Sequence, residues 1–419
     1  MMNRFFPTRL VDGFKNNIRK SDELKHSVLN DATVAPDRFW DVLSYTGTIS
    51  VFLILIQVVT GLLLLFYYSP NPLKAFESVI AIKNEIPNGF LFVNLHTINA
   101  KLIVLVLFIH MFRIMYVSAH RGPRKNQWYT GSVLMTLMLV TGFSGYLLPW
   151  SQQSYWACVI GTEAIRTVPL AGDLIVYLLR GGKEVAGPTL SIFYMLHIIF
   201  LPAGIIVFMW YHIKKVWQTG VAAPPEMIAG INPETCVGCG VCERICPFSA
   251  IRMMSGTGSK SMPEVDGGLC NACRLCLDKC PTQSITLKSQ SGPMKTEPIF
   301  PHNMLHRMSA TVVTIMILFA GVFFFHGMLI EDKIPADPFI TPDRIKPDWY
   351  FMGPYQVLKI MPSEFTGLLS LLAIYLVLVF LPVIDKKGPR DPEKRPLYIL
   401  LVKTSIFSFI IFTIWGFLS

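Results

Sequence analysis

The sequence has 419 residues, a net charge of +10, a mean hydropathy of +0.47 and only 15% charged residues. Soluble domains carry about 25% charge, so composition excludes a chain that is soluble throughout. In a membrane chain the basic excess reads as positive-inside loop charge and not as a nucleic-acid surface.

Residues 1–40 are polar and mixed in charge and lack the apolar run of a cleavable signal peptide. Seven mostly apolar stretches follow, at about 44–68, 96–118, 128–150, 190–213, 305–330, 364–384 and 397–418, each long enough for a ~30 Å hydrocarbon core. The expected fold class is an all-α transmembrane helical bundle, embedded in lipid. With seven crossings, three basic segments share one side: the N-terminal stretch, the loop at 119–127 (Arg121, Arg124, Lys125) and the loop at 385–396 (Lys386, Lys387, Arg390, Lys394, Arg395). Their charge makes this the cytoplasmic or N side of a bacterial-type inner membrane. The segment at 219–298 shares that side, and the long loops at 151–189 and 331–363 face the opposite, P side.

Two of the apolar helices carry paired histidines. His96 and His110 are 14 residues apart, and His197 and His212 are 15 apart. At ~100° per residue, 14 steps fall ~40° short of four turns and 15 overshoot by ~60°, so each pair faces roughly one way, its members ~21–22 Å apart along the axis. Polar groups inside a membrane are costly and tend to mark function. Two helices offering imidazoles at two depths can form two bis-histidine haem b sites. His96 then pairs with His197 near the P side, and His110 with His212 near the N side. Gly47 and Gly61 repeat the 14-residue spacing, as do Gly131 and Gly145. Small-residue helix packing is the bland reading of such glycines. The matched spacing points instead to clearance for a flat macrocycle at both depths. Arg113 is placed to reach a propionate of the N-side haem. His26, His120, His302, His306 and His326 receive no ligand role, and the lone Cys158 reads as a small packing residue.

The other eight cysteines lie between 236 and 280. "CVGCGVCERICP" sets Cys236, Cys239, Cys242 and Cys246 in a CxxCxxCxxxC run before Pro247. Cys270, Cys273, Cys276 and Cys280 repeat it before Pro281. A cytoplasmic placement and CxxC spacing argue for metal over disulfides. Three closely spaced thiolates grip three corners of a cubane, and the fourth, beside proline, reaches across to the other cluster. One [4Fe-4S] cluster is thus assigned to Cys236, Cys239, Cys242 and Cys280, the other to Cys270, Cys273, Cys276 and Cys246. Structural zinc is the alternative, which the doubled run with both prolines disfavours. The segment resembles a bacterial two-cluster ferredoxin, a small α+β domain flanked by the linkers "GVAAPPE" and "KSQSGPMKTEP".

The four histidines, the glycine pairs, "LLPWSQQSYWA" (147–157) and "LLRG" (178–181) together resemble the cytochrome b family of quinol:cytochrome c and plastoquinol:plastocyanin complexes. The 15-residue histidine spacing is similar to the chloroplast-type, split form, and "PADPFITPDRIKPDWYF" (335–351) resembles its subunit IV. The resemblance implies three parts: a four-helix dihaem domain at 1–218, a ferredoxin-like domain at 219–298 and a three-helix subunit IV-like domain at 299–419. It implies a quinol-oxidising, proton-translocating subunit of a dimeric complex, with a Rieske iron–sulfur protein, a c-type cytochrome and the quinone pool as partners. The family's quinol-site motif Pro-Glu-Trp-Tyr reads here Pro347-Asp348-Trp349-Tyr350. Asp348 keeps a carboxylate, one methylene shorter, that can accept a quinol proton; a helix-capping Asp is the bland alternative.

Three departures stand out. Tyr45 occupies the place of a cysteine that tethers an extra haem in the split form, which argues against a covalent third haem and leaves an untethered one open. Val93 and Thr97 stand where the family has arginines. Lys101 lies unusually deep in the second helix, as a propionate partner or a side chain snorkelling to the surface. The ferredoxin-like domain is expected to link the N-side haem, or a quinone site near it, to a cytoplasmic redox partner, with the direction of flow undecided. A reading of another class, a ferredoxin- or dehydrogenase:quinone oxidoreductase membrane anchor without a Rieske partner, leaves the retained Pro-Asp-Trp-Tyr loop without a purpose.

Overall fold

A computed structural model describes residues 32–34, 42–219, 227–254, 261–290, 296–325, 334–386, 388–389 and 391–419. Most of the basic N-terminal segment, His26, His326, the linker 220–226, Lys387 and Arg390 lie outside the described residues. A short strand β1 (Ala32–Val34) pairs antiparallel with β6 (Thr296–Pro298).

The bundle begins with α1 (Thr46–Leu65), α2 (Ala75–Glu85), α3 (Gly89–Tyr116) and α4 (Lys125–Leu147). Two helices of the long loop follow, α5 (Gln152–Arg166) and α6 (Gly172–Arg180), and then α7 (Gly187–Thr219). After the insert come α10 (Met304–Phe325), α11 (Trp349–Ile360), α12 (Glu364–Val379), α13 (Leu381–Ile384) and α14 (Pro396–Leu418). Six spans among the described residues are long and apolar enough to cross a membrane: Leu43–Leu65, Gly89–Tyr116, Gly122–Leu147, Gly187–Thr219, Pro301–Phe324 and Pro396–Leu418. The seventh expected stretch is divided into the 16-residue apolar α12 and the four-residue α13. Pro382, without an N–H and clashing with the carbonyl four residues back, accounts for the break.

The core joins α1, α3, α4, α7 and α10 through Leu53, Ile103, Met138, Ile205, Leu318 and Val322. A second cluster, at one end, gathers Leu147, Trp150, Tyr155, Leu190, Phe193 and the fully buried Cys158. Leu55, Val59, Leu62, Ile317, Leu400 and Ile411 point outward, the exposure expected of lipid-facing positions.

α7 is not uniform. One wide π turn spans Leu196–Phe200 and contains His197. Such a turn absorbs one extra residue. The 15-residue interval to His212 therefore aligns like a 14-residue one, and the ~60° overshoot expected of a regular helix is removed.

The insert is two similar halves. β2 (Met227–Ile231), α8 (Val241–Ile245) and β3 (Ile251–Met254) form the first; β4 (Met262–Val265), α9 (Leu275–Asp278) and β5 (Ile285–Ser289) form the second. β2 pairs antiparallel with β5 and β3 with β4. Positive φ recurs at equivalent positions, at Gly238 and Gly240 in the first half and at Ala272 and Arg274 in the second.

The two ends of the bundle are held differently. At one end Asp385 binds Arg121, Arg395 and His120, with His120 Nε2 2.9 Å from Oδ2. At the other, Ala336 N donates to Trp150 O at 3.1 Å, Gln152 Oε1 accepts from Asp337 N at 2.6 Å, and Gln153 Nε2 donates to Arg344 O at 3.1 Å. "LLPWSQQSYWA" thus pins the start of the 335–351 loop. The conspicuous Arg180 of "LLRG" is buried and ties α6 to α5 through Thr162, Val159 O and Glu163.

Candidate functional site

The four histidines occupy two levels, each facing a glycine on the neighbouring helix. A methyl group built at Gly47 would stand 3.2 Å from His110 Cε1, at Gly61 3.0 Å from His96, at Gly131 3.3 Å from His212 and at Gly145 2.5 Å from His197. The glycine gaps are therefore occupied first by imidazole edges, so the clearance serves the histidines directly. His96 and His197 face each other with ring centroids 6.3 Å apart. Arg113 lies one turn after His110 on α3.

A hydroxyl residue precedes each of these glycines, a feature the sequence reading missed. Thr46 Oγ1 lies 3.1 Å from His110 Nδ1, Thr60 Oγ1 2.9 Å from His96 Nδ1, Thr130 Oγ1 2.9 Å from His212 Nδ1 and Ser144 Oγ 3.1 Å from His197 Nδ1. Each hydroxyl also donates to a carbonyl of its own helix, at Leu43, Ile56, Asn126 and Thr141 respectively. With its hydrogen committed, the oxygen accepts from Nδ1–H, which fixes the tautomer and leaves the Nε2 lone pair free. Among the described residues no protein group bonds any of the four Nε2 atoms.

The Pro347–Tyr350 loop reaches the His96/His197 level. Tyr350 is buried, and its hydroxyl lies against Gly142, three residues before Gly145. Trp349 packs on Phe108 of α3 and Phe409 of α14. Asp348 occupies the N-cap position of α11 but makes no capping bond. Its Oδ1 lies 2.7 Å from Lys101 Nζ, and its Oδ2 accepts from Tyr350 OH at 3.3 Å. Lys101, expected to meet a propionate or snorkel, instead reaches across to this carboxylate. Val93 and Thr97 make a backbone-directed contact, Thr97 Oγ1 donating to Val93 O at 2.9 Å. Tyr45 is buried, with the Arg307 guanidinium 4.9 Å above its ring.

In the insert, Cys246, Cys270, Cys273 and Cys276 line one cavity, and Cys236, Cys239, Cys242 and Cys280 line another. The fourth cysteine of each run thus lies in the other run's cavity. Backbone amides point at two of the sulfurs, Ala229 N to Cys270 Sγ at 3.4 Å and Ala250 N to Cys246 Sγ at 3.3 Å. Burial, and then the neighbouring Cys273, Cys270 and Cys246 sulfurs, push the Cys276 thiol up to about 12. Four such sulfurs ionise together only around a cationic centre. They rim a space and do not meet at a point: among the described residues no three His, Cys, Asp or Glu close on a single ion. The Cys246 cavity faces the bundle. Phe248 lies against Gly122, whose added methyl would stand 2.5 Å from the ring, and the buried Arg124 lies within electrostatic reach of Cys273.

Comparison with known proteins places these elements. The family model for cytochrome b/b6/petB matches residues 35–220, the cytochrome b (C-terminal)/b6/petD model matches 335–419, and a 4Fe-4S dicluster domain matches 229–287. A cytochrome b6 of Heliomicrobium gestii is 37% identical over 189 residues, 89% of its own length. The chain belongs to the cytochrome b/b6 family.

Cytochrome b/c1 of Bradyrhizobium diazoefficiens is 29% identical over 356 residues, 84% of this chain and 42% of that protein, so this chain spans less than half of its relative. A solved hyperthermophilic respiratory Complex III chain shares the fold at TM-score 0.71 and 24% identity, covering 97% of this chain and 91% of that one. Family membership makes this cytochrome b an integral membrane protein of b haem, and the dicluster domain makes it an iron–sulfur protein as well. The donor sets fit both groups. A centroid spacing of 6.3 Å is close to that of two imidazoles bonded to one metal from opposite sides, with bonds of about 2 Å. The eight sulfurs divide four and four around two cavities.

Proposed function

We propose that this chain is the cytochrome b subunit of a quinol-oxidising, proton-translocating complex of the inner (cytoplasmic) membrane, working in a dimeric assembly with a Rieske iron–sulfur protein and a c-type cytochrome. One observation carries the reading: the Pro347–Tyr350 loop meets the His96/His197 level at one end of the bundle, while the cysteine cavities stand at the other. When bound, two b haems and two [4Fe-4S] clusters supply one-electron transfer, so that a quinol's two electrons part between the Rieske partner and the membrane-crossing levels.

The chain's own residues do the rest. His96 with His197, and His110 with His212, would hold the haems through Nε2, and their hydroxyl partners keep the rings in orientation. Arg113, one turn after His110, would meet a propionate at the N-side level. Asp348 takes the proton of a quinol hydroxyl and releases it to P-side water. Trp349, next to Asp348, packs on Phe108 of α3 and anchors the loop to the bundle. On this reading residues 1–218 form the dihaem part, 299–419 the quinol-site part and 219–298 a cytoplasmic relay. That relay exchanges electrons between a soluble redox partner and the N-side haem or a quinone near it.

An EPR-monitored redox titration of the purified complex tests this. It is expected to resolve two b haems, two cluster signals in this chain and a Rieske signal from a co-purifying subunit. Fewer than two cluster signals would remove the relay. A cytoplasmic dehydrogenase with no Rieske protein would replace the proposal with a quinone-reducing membrane anchor.

A further inference from the structure

Lys101 sits five residues beyond His96, about 7.5 Å further along α3. A cation at such a place in a membrane-spanning helix is costly unless paired or wet. Its Nζ lies 2.7 Å from Asp348 Oδ1, the two side chains being 34% and 14% exposed. The second carboxylate oxygen receives the Tyr350 hydroxyl, and the helix that Asp348 begins receives nothing from it. Both oxygens are thus committed to side chains. An aspartate, one methylene shorter than the glutamate of the related motif, has little reach of its own, so its position is set by what holds it.

We propose that Lys101 is a positioning residue for quinol oxidation: its ammonium fixes the Asp348 carboxylate at the quinol pocket and balances its charge, so that the two work as one unit. This rests on reading the 347–350 loop as the quinol site. The titratable groups around the carboxylate are Lys101 from α3, Tyr350 from α11 and, behind Tyr350, Tyr146 from α4. In the step itself, one O–H bond of the quinol breaks and one forms on Asp348. The neutral carboxyl loses most of its attraction for Lys101, turns toward the P face and gives the proton to water. The carboxylate then returns to the ammonium, which keeps its three protons throughout.

The test uses the intact complex with Lys101→Met, Lys101→Arg, Asp348→Asn and the double variant Lys101→Met/Asp348→Asn. It measures quinol oxidation, with haem content read from redox difference spectra. Lys101→Met is expected to slow turnover about 10- to 100-fold with both haems retained. Lys101→Arg recovers most of the rate. The double variant is no slower than Asp348→Asn alone, and because it removes one charge of each sign it remains informative if Lys101→Met fails to assemble. A normal rate in Lys101→Met beside a slow Asp348→Asn refutes the role of Lys101 and leaves the loop reading intact. Wild-type turnover in Asp348→Asn overturns both. Single effects that multiply in the double variant refute the coupled unit.

Discussion

Replacing Gly145 with alanine puts a methyl group 2.5 Å from Cε1 of His197, with Nδ1 of the same ring at 3.1 Å and Nε2 at 3.2 Å. The ring has nowhere to retreat, because its Nδ1 is bound to both Ser144 Oγ and Thr141 O at 3.1 Å. The same change at Gly131 leaves 3.3 Å to His212 Cε1, a contact relieved by a shift of a few tenths of an ångström. Overpacking a well-packed site costs about 1–3 kcal/mol, and alanine for glycine returns about 1 kcal/mol of helix propensity. Gly131→Ala should therefore be near neutral, while Gly145→Ala, at the top of the overpacking range, should lose about 2 kcal/mol, a factor of about thirty in seating the P-side histidine. The assay is haem per chain by pyridine haemochrome, with low-temperature difference spectra resolving the two bands. Gly145→Ala is expected to keep the N-side haem and lose most of the other, and Gly131→Ala to keep both. Equal retention in the two variants, or greater loss in Gly131→Ala, would refute the reasoning.

Other predictions follow from the same contacts. Thr130→Val removes the acceptor for His212 Nδ1 and should weaken haem affinity at that level about 10- to 100-fold, while Thr130→Ser should not, as haem titration of the apoprotein would reveal. Cys280→Ser should abolish the cluster signal of the Cys236 cavity and spare the other, and Cys246→Ser should do the converse; EPR showing both variants damaging the same cluster would exclude the crossed pairing. Asp385→Asn leaves Arg121 and Arg395 uncompensated and should cost about 3–5 kcal/mol, seen as a lower Tm in detergent. Burial opposes ionisation of Asp385, but His120, Arg121 and Arg395 outweigh it and hold the carboxyl far below the usual range. Burial also lowers the pKa of His120. Both groups bind fewer protons folded than unfolded, so their stabilisation is present above about pH 6.5 and fades as the medium is acidified. Thermal scans of wild type from pH 7.5 to 4 should show the His120 part of this fall, and Asp385→Asn, which removes the carboxylate that raises the His120 pKa, should deepen it.

Periodicity made the histidine levels, the glycine pairs and the two cysteine runs legible in the sequence, because each is a spacing along one helix or one loop. What escaped notice depends on contacts between elements. The pairing of Lys101 with Asp348 spans 247 positions of sequence, and nothing local announces it. The Asp385 network turned three residues counted only as loop charge or left unassigned, Arg121, Arg395 and His120, into a clamp between the two halves of the bundle. The hydroxyl anchors did leave a signal: Thr46-Gly47 with Thr60-Gly61, and Thr130-Gly131 with Ser144-Gly145, set a hydroxyl residue before a glycine twice in each helix, 14 residues apart. The π turn at Leu196–Phe200 was visible only as an extra residue between His197 and His212, read as a rotation because a regular helix was assumed.

The docking of the insert constrains how the proposed relay works. α7 leaves the bundle at Thr219, seven residues and about 10 Å after His212. Gln127 and Arg124, at the start of α4, hold that helix end through Lys215 O and Thr219 O. The loop that holds α7 also receives Phe248 and sets Arg124 near Cys273. A domain joined to the bundle by its own chain meets this loop intramolecularly, so a small contact suffices to keep it seated. The cavity of Cys246, Cys270, Cys273 and Cys276 then lies inward, and the cavity of Cys236, the exposed Cys239, Cys242 and Cys280 is the one a soluble partner reaches first. Each set has a guanidinium beside it: Arg124 lies near Cys273 of the inner set, and Arg244 Nη2 donates to Cys239 O of the outer set at 3.4 Å. Ferredoxin-type clusters lie low in the iron–sulfur range, so on the proposed relay donation from the partner into the membrane is downhill. Flow in the opposite direction has to draw on bifurcated quinol oxidation or on the membrane potential.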